Sequence, residues 1–300
     1  MELKQARGNT WYLEDWQLIP LYRLDGGRCI LLDSGMLSQR EEIERVLAAH
    51  GLTPAGILGT HIHTDHSPNH RYFQQKYHIP VVLPAGEAGL CVTLLNLKAY
   101  LFMLPLGQVT CEEDVREMEV VADRVILPGE SRVELCGAAF DILHTPGHSP
   151  DHVCVRTPDD VLYLGDAVLT GEELTGAKLP YFFSHREAMA SMDRLRGARA
   201  SCYLAAHRGV YPELGDILSA NKAAIRDRAA RLLALVDRPM TADQIYAAAA
   251  NRFALRSSKL FKVSLYERNL RTYVEYLRDT GALRAEARDG LVWYQRAEEK

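Results

Sequence analysis

Thr60-His61-Ile62-His63-Thr64-Asp65-His66 places four metal-capable side chains within six positions, directly after Ala55-Gly56-Ile57-Leu58-Gly59, an apolar run that reads as a buried strand. Side chains alternate along a strand, so His61 and His63 are expected to point the same way and to share one ion. Asp65 and His66 fall where the chain must turn before Pro68 opens the next helix, and that turn can swing both toward a second ion. Imidazole and carboxylate together suit zinc, and also iron, manganese or cobalt. Further ligands stand at the ends of later apolar runs. Phe140-Asp141-Ile142-Leu143-His144 leads into a turn-rich loop carrying His148, Val161 to Gly165 delivers Asp166, and Ser201 to Ala206 delivers His207.

Composition sets the outer limits. A chain of 300 residues that is 47% hydrophobic can bury a full core, with room for a smaller domain beside a large one. Its net charge of −4 carries no basic excess of the kind that advertises general nucleic-acid binding. Met1 to Thr10 is polar and Trp11 to Tyr22 is interrupted by Glu14, Asp15 and Pro20, so no secretion signal is read and a cytoplasmic location is expected. The 6 cysteines are scattered singly, most inside apolar runs, and no disulfide framework is expected. Cys202, five positions before His207, is expected to pack in its strand.

Strands are read around Trp11 to Pro20 and Cys29 to Asp33 with a hairpin at Asp25-Gly26-Gly27, then a helix from about Ser38 with Glu41 as its capping partner. Pro68 to Tyr77 reads as a helix and Pro80 to Leu83 as a strand, the alternation of an α/β sandwich. The segment 85–119 breaks that rhythm. Its apolar core, Leu90 to Leu104, is too short and too interrupted by Asn96 and Lys98 to span a membrane, and reads as a buried scaffold helix, a substrate-facing lid or a homodimer contact. After Asp166, Leu169 to Lys178 reads as a polar loop, and Tyr181, Phe182 and His185 either line a pocket or pack beneath it. His70, one helical turn after His66, is placed at the pocket edge, and His152 is expected to hydrogen-bond a ligand from behind. A long helix from Glu213 ends at Val236, where a domain boundary is drawn. Beyond it, Thr241 caps a helix, another runs from about Tyr266 to Thr280, and Leu283 to Ala287 and Leu291 to Tyr294 form a hairpin.

His-x-His-x-Asp-His at 61–66, Thr-Pro-Gly-His at 145–148, Gly-Asp at 165–166 and Ala-His-Arg-Gly at 206–209 together resemble the metallo-β-lactamase superfamily. The resemblance implies an αββα sandwich over 1–236 with a helical insertion at 85–119. Over 237–300 it implies a small winged-helix-like domain, as in the glyoxalase II-like and β-lactamase-like protein 2 branch. It puts His61, His63 and His148 on a first metal and Asp65, His66 and His207 on a second, with Asp166 bridging and Asp33 supporting the metal loop. The cofactors implied are two divalent ions, zinc foremost, with iron or manganese as alternatives. Ser67-Pro68-Asn69-His70 and Ala205-Ala206-His207-Arg208-Gly209 depart from the glycines many relatives carry there, without removing a ligand.

The implied chemistry is hydrolysis by a hydroxide bridging the two ions, with Asp65 as the catalytic carboxylate orienting it and relaying its proton. An acyl thioester, on coenzyme A or glutathione, is the expected substrate, because the apolar insertion suits an acyl chain. A phosphodiesterase or single-strand ribonuclease is the alternative: Lys259, Lys262, Arg268 and Arg271 can contact phosphates, but Glu267, Glu275, Glu286 and Asp289 interleave with the bases and disfavour nucleic acid. A third reading is an effector that works by binding a partner protein, with hydrolysis secondary.

Overall fold

The computed structural model describes residues 1–102, 113–207 and 209–297. The end of the apolar segment at Met103-Leu104 and Arg208 of the last motif lie outside the described residues.

Two sheets face each other. The first holds seven strands in sequence order, β1 (Glu2–Arg7), β2 (Thr10–Glu14), β3 (Leu18–Leu24), β4 (Arg28–Leu32), β5 (Thr53–Leu58), β6 (Val81–Pro84) and β7 (Arg124–Ile126). Its first four strands pair antiparallel and the rest parallel. The second holds β8 (Arg132–Leu135), β9 (Ala138–His144), β10 (Val153–Arg156), β11 (Val161–Tyr163), β12 (Cys202–Leu204) and β13 (Val210–Tyr211), again in sequence order, with β11 and β12 parallel. The expected hairpin at Asp25-Gly26-Gly27 joins β3 to β4, whereas the stretch read as one strand from Trp11 to Pro20 is two strands that turn at Asp15 to Gln17.

Alternation along the strands makes the layers. Ile30, Leu32, Leu58, Phe140, Val155 and Tyr163 point into the space between the sheets. Leu31, Ile57 and Val81 point outward, onto Ile43 and Val46 of α1 (Arg40–Ala49) and Phe73 of α2 (His70–Tyr77). The first helix starts later than Ser38, after a 3₁₀ turn, and its entry is tied by Gln39 Oε1 accepting the Met36 amide at 2.9 Å rather than by Glu41.

Among its described residues the insertion contains α3 (Ala85–Cys91), α4 (Leu94–Phe102) and α5 (Glu113–Glu117). Leu97, Tyr100 and Leu101 are buried on α4 while Leu95 is exposed, so the segment packs on the first sheet with one face outward. The loop read after Asp166 contains a short helix, α6 (Gly171–Gly176). The second sheet is covered by α7 (His185–Gly197) and α8 (Gly215–Leu233), through Ala188, Met192, Leu195, Leu218 and Ile225.

The tail comprises α9 (Ala242–Arg252), α10 (Leu260–Asp279) and a three-stranded sheet of β14 (Met240–Thr241), β15 (Leu283–Arg288) and β16 (Leu291–Arg296). Thr241 caps α9 in a reciprocal pair with Gln244. The helix α10 starts six residues before Tyr266 and carries the apolar side of the tail, Leu270, Tyr273, Val274 and Leu277, against Leu232 and Val236. No described helix is long and apolar enough to cross a membrane.

Among the described residues Cys29, Cys91, Cys136, Cys154 and Cys202 are free, and Cys202 packs against the inter-sheet core. Burial pushes the Cys29, Cys91 and Cys154 thiols up to about 12. Alkylation needs an exposed thiolate. Brief iodoacetamide treatment of the folded protein, read by peptide mass mapping, is therefore expected to label Cys136 and Cys202 well before these three; equal labelling of Cys29 and Cys202 would contradict this burial pattern.

Candidate metal centre

The strand β5 stops at Leu58, so His61 and His63 lie in the loop beyond it and not on the strand whose alternation was expected to align them. They converge through the loop itself. His61 Nε2 is 3.1 Å from His63 Nδ1, and His148 Nε2 is 2.8 Å from the same His63 atom. Asp65, His66, Asp166 and His207 form a second cluster: His66 Nε2 lies 3.2 Å from Asp166 Oδ1, and His207 Nε2 lies 3.3 Å from Asp65 Oδ2 and 3.4 Å from Asp166 Oδ2. Asp166 belongs to both groups, the first being His61, His63, His148 and Asp166.

The far sides of three of these rings are held. His66 Nδ1 donates to Asp33 Oδ2 at 2.8 Å, His61 Nδ1 is 3.0 Å from Thr60 Oγ1, and His63 Nε2 is 3.0 Å from the Tyr100 hydroxyl. Each contact leaves the opposite nitrogen facing the cluster, the arrangement that orients imidazole ligands. Asp33 also accepts the Thr60 amide (2.7 Å), the Thr60 hydroxyl (2.8 Å) and the Tyr163 hydroxyl (2.8 Å), and holds a left-handed backbone at φ 64°. Aspartate tolerates that conformation better than most residues, and the surrounding bonds over-determine it. Asp166 is held from behind, its amide donating to His152 Nε2 at 3.1 Å while His152 Nδ1 lies 2.9 Å from Thr145 Oγ1. The preceding Gly165 is at φ 49°, and a Cβ there would come within 2.6 Å of His152 Nε2, so both backbone and space call for glycine.

Electrostatics divide the centre. Burial holds His61, His63 and His148 below the ordinary histidine range, hence as neutral imidazoles, the ligating form. Burial opposes charge on His66 as well, but Asp166, Asp65 and Asp33 outweigh it and raise His66 well above that range. His207, similarly opposed by burial, is raised by Asp166 and Asp65 to about 10. The second cluster thus concentrates carboxylates around two imidazoles. Buried His66 Nε2 and Asp166 Oδ1 have no hydrogen-bond partner among the described residues, and three imidazole nitrogens crowd together on the other side. Divalent cations fit such a donor set, satisfying the lone pairs and the negative charge together.

The centre opens into a cavity of about 890 Å³. Tyr181 lines it, with ring centroid distances of 5.9 Å to His63 and 5.7 Å to His148. The other residues proposed for the pocket are packed elsewhere. Phe182 is buried in the core under α7, and His185 lies 3.9 Å from the Tyr273 ring, driven down to about 3 by burial. His70 sits behind the metal loop with Nδ1 2.7 Å from Ser34 Oγ, because the helix it opens turns that face toward β4 and not the cavity. His144 bonds the Glu130 carbonyl at 3.0 Å.

Four contributors escaped the sequence reading. Trp16 stands edge-on to His207 at 5.0 Å between centroids, in the turn between β2 and β3. Gln17 Nε2 donates to the Asp65 carbonyl. Tyr100 reaches His63 from the insertion, and Glu87 accepts from the loops on both sides of the first cluster.

Residues 18–207 match the family model of the metallo-beta-lactamase superfamily. The chain belongs to that superfamily. Its fold is shared with a beta-lactamase domain protein from Burkholderia ambifaria (TM-score 0.72, 18% identity, covering 99% of this chain and 94% of that one). It is shared too with a metallo-beta-lactamase family protein from Thermus thermophilus (TM-score 0.68, 23% identity, 94% of both chains). Among curated relatives, "Probable metallo-hydrolase YqgX" of Bacillus subtilis is 28% identical over 154 residues, 50% of this chain and 65% of that protein. A hydroxyacylglutathione hydrolase of Klebsiella pneumoniae is 27% identical over 150 residues, 49% of this chain and 45% of that protein. The chain therefore matches less than two thirds of the length of these curated relatives. Superfamily membership and the His/Asp clusters together point to divalent-metal binding at this site.

Proposed function

We propose that the protein is a metal-dependent hydrolase of acyl thioesters that holds two divalent ions, zinc first among them. His61, His63 and His148 would ligate one ion, Asp65, His66 and His207 the other, and Asp166 both. The observation that carries the reading is the sharing of buried Asp166 between two ligand clusters at the floor of a cavity whose wall includes apolar Leu101, Val115 and Leu265. The relatives named as hydroxyacylglutathione hydrolases support the thioester class. The tail over 237–300 is taken as a winged-helix-like domain, its boundary at the Asp237-Arg238-Pro239 break.

Bound ions supply Lewis acidity and a water of lowered pKa. The chain's own residues do the rest. Asp65 is the ligand most open to the cavity, its side chain 22% exposed against 4% for Asp166, so it can meet an incoming water. It takes the proton of the attacking water as the C–O bond forms, and that proton leaves on the thiolate as the C–S bond breaks. His66 and His207, which flank Asp65, keep its carboxylate ionised against burial. Tyr181 and Trp16 line the sides of the cavity.

Thiol release from acyl-CoA and acyl-glutathione substrates by metal-replete protein tests this, with Asp65→Asn beside it. Turnover is expected to fall about a hundredfold or more in the variant. Silence across the panel with metals bound would sink the thioester reading and turn attention to phosphodiesters and single-stranded RNA, since Lys259 and Lys262 stand at the cavity wall.

A further inference from the structure

Arg268 is the buried cation of the cavity. It comes from α10, is 91% removed from solvent by the 9% exposure of its residue, and lines the same space as the metal ligands. Its Nη1 donates to the Leu101 carbonyl at 2.8 Å, and its Nε is buried without an acceptor among the described residues. Its guanidinium carbon lies 4.0 Å from the Tyr181 ring centroid and 5.9 Å from that of Tyr100. Among the described residues no carboxylate lies within ion-pair distance of it. Aromatic faces soften the cost of a buried charge but do not neutralise it, and a buried guanidinium with a donor left unpaired is matched by a planar anion.

The sequence reading grouped Arg268 with Lys259, Lys262 and Arg271 as phosphate contacts. In the fold, Lys259, Lys262 and Arg268 line the cavity, whereas Arg271 is exposed and absent from its wall. The basic residues therefore follow the substrate space, with Arg268 innermost, separated from His63 by Tyr100 and Tyr181.

We propose that Arg268, framed by Tyr100 and Tyr181, is a carboxylate-recognition subsite, so that the preferred thioester carries a carboxylate. This rests on the thioester reading for its substrate but not for its anion. The carboxylate can belong to the acyl group or to the thiol. A bidentate pair with Arg268 is a charge-assisted contact made away from the C–S bond, so it selects substrate without joining the chemistry.

Three compounds separate the sources: S-butyryl-N-acetylcysteamine as the neutral reference, S-succinyl-N-acetylcysteamine with an acyl carboxylate, and S-butyryl-glutathione with thiol-side carboxylates. For the wild type, kcat/KM is expected to be at least about tenfold higher for one charged compound than for the reference, and which one identifies the source. Arg268→Met is expected to bring that ratio to near one, and Arg268→Lys to keep part of it. Because Arg268 also braces Leu101, the ratio is the readout: a purely structural role lowers all three rates together and leaves the ratio unchanged. Calorimetry of metal-replete protein with succinate and butyrate adds a readout free of turnover. Each offers one carboxylate to the metals, and only succinate has a second for Arg268, so tighter succinate binding is expected and is lost in Arg268→Met. An unchanged ratio in Arg268→Met, or wild-type indifference to charge in both assays, overturns the subsite while leaving thioester hydrolysis standing. Arg268-dependent succinate preference without turnover of any thioester supports the subsite and removes the thioester reading.

Discussion

Asp166→Asn is expected to reduce hydrolysis by more than about a thousandfold and to lower bound metal below half of the wild-type content. Asp166 is the one side chain common to both ligand clusters, with an oxygen 3.2 Å from His148 Nε2 and from His66 Nε2 in turn. Replacing residues that merely orient metal ligands costs about 10–100-fold in affinity or activity, so loss of a charge facing both ion positions should exceed that range. The amide also brings two N–H donors to where imidazole lone pairs and a carboxylate would be needed to hold the ions. Burial disfavours the Asp166 carboxylate, but His207, His66 and His148 outweigh it and hold the group well below the ordinary range, so the site favours its charged form. Elemental analysis of the purified variant, set beside its rate on the substrate that the wild type cleaves best, gives the check. Wild-type metal content and rate in Asp166→Asn would remove the shared-ligand reading. Exhaustive dialysis of the wild type against a chelator should reproduce the loss and lower the melting temperature, because ions that bind only the folded chain add to its stability by mass action.

The ligand run was legible because it is local: His61, His63, Asp65 and His66 sit in one loop, and the strands that deliver Asp166 and His207 are short apolar runs with little competing reading. The α/β sandwich was read from the alternation of strands with helices, and its αββα form was implied by the family resemblance. Where the reading failed, the deciding information was tertiary. Nothing local distinguishes Tyr181, which faces the cavity, from Phe182, which the following helix turns into the core one residue later. His70 has the helical spacing of a pocket residue, but the orientation of α2 decides which side that spacing serves. Arg268 reads as one more base on a mixed-charge helix, and only the packing of α10 against α4 reveals that it is buried. Glu87 is the clearest case, since Ala85-Gly86-Glu87-Ala88 carries no pattern beyond an ordinary first helical turn.

Glu87→Ala is expected to destabilise the fold by about 3–5 kcal/mol and to cost about 10–100-fold in metal affinity, although Glu87 touches no ligand side chain. The residue is fully buried at the start of α3. Its Oε2 accepts the Ile62 amide at 3.0 Å, between His61 and His63. Its Oε1 accepts the Ser149 hydroxyl at 2.6 Å and the Asp151 amide at 2.9 Å, in the loop just after His148. One carboxylate thus ties together the two loops that carry the first cluster. Truncation strands two buried donors, the Ile62 amide and the Ser149 hydroxyl, and the half-buried Asp151 amide, a buried donor costing about 1–3 kcal/mol when left unsatisfied. Glu87→Gln is milder: one oxygen still accepts, but the amide nitrogen must face a donor, so one loop is released and the other kept. Burial raises the Glu87 carboxyl above the ordinary glutamate range, against the pull of Ser149 and the Asp151 and Ile62 amides. The folded chain then binds more protons than the unfolded one between the two pKa values, so this group's contribution to stability falls as pH rises from the unfolded value through the folded one, and Glu87→Gln flattens that slope. Urea unfolding across pH 4 to about 8, paired with metal analysis of the folded variants, tests both parts. A Glu87→Ala protein with the wild-type midpoint and full metal content would show that the loops hold the first cluster without this strap. Loss of metal at an unchanged midpoint would mean that Glu87 positions the ligands without supporting the fold.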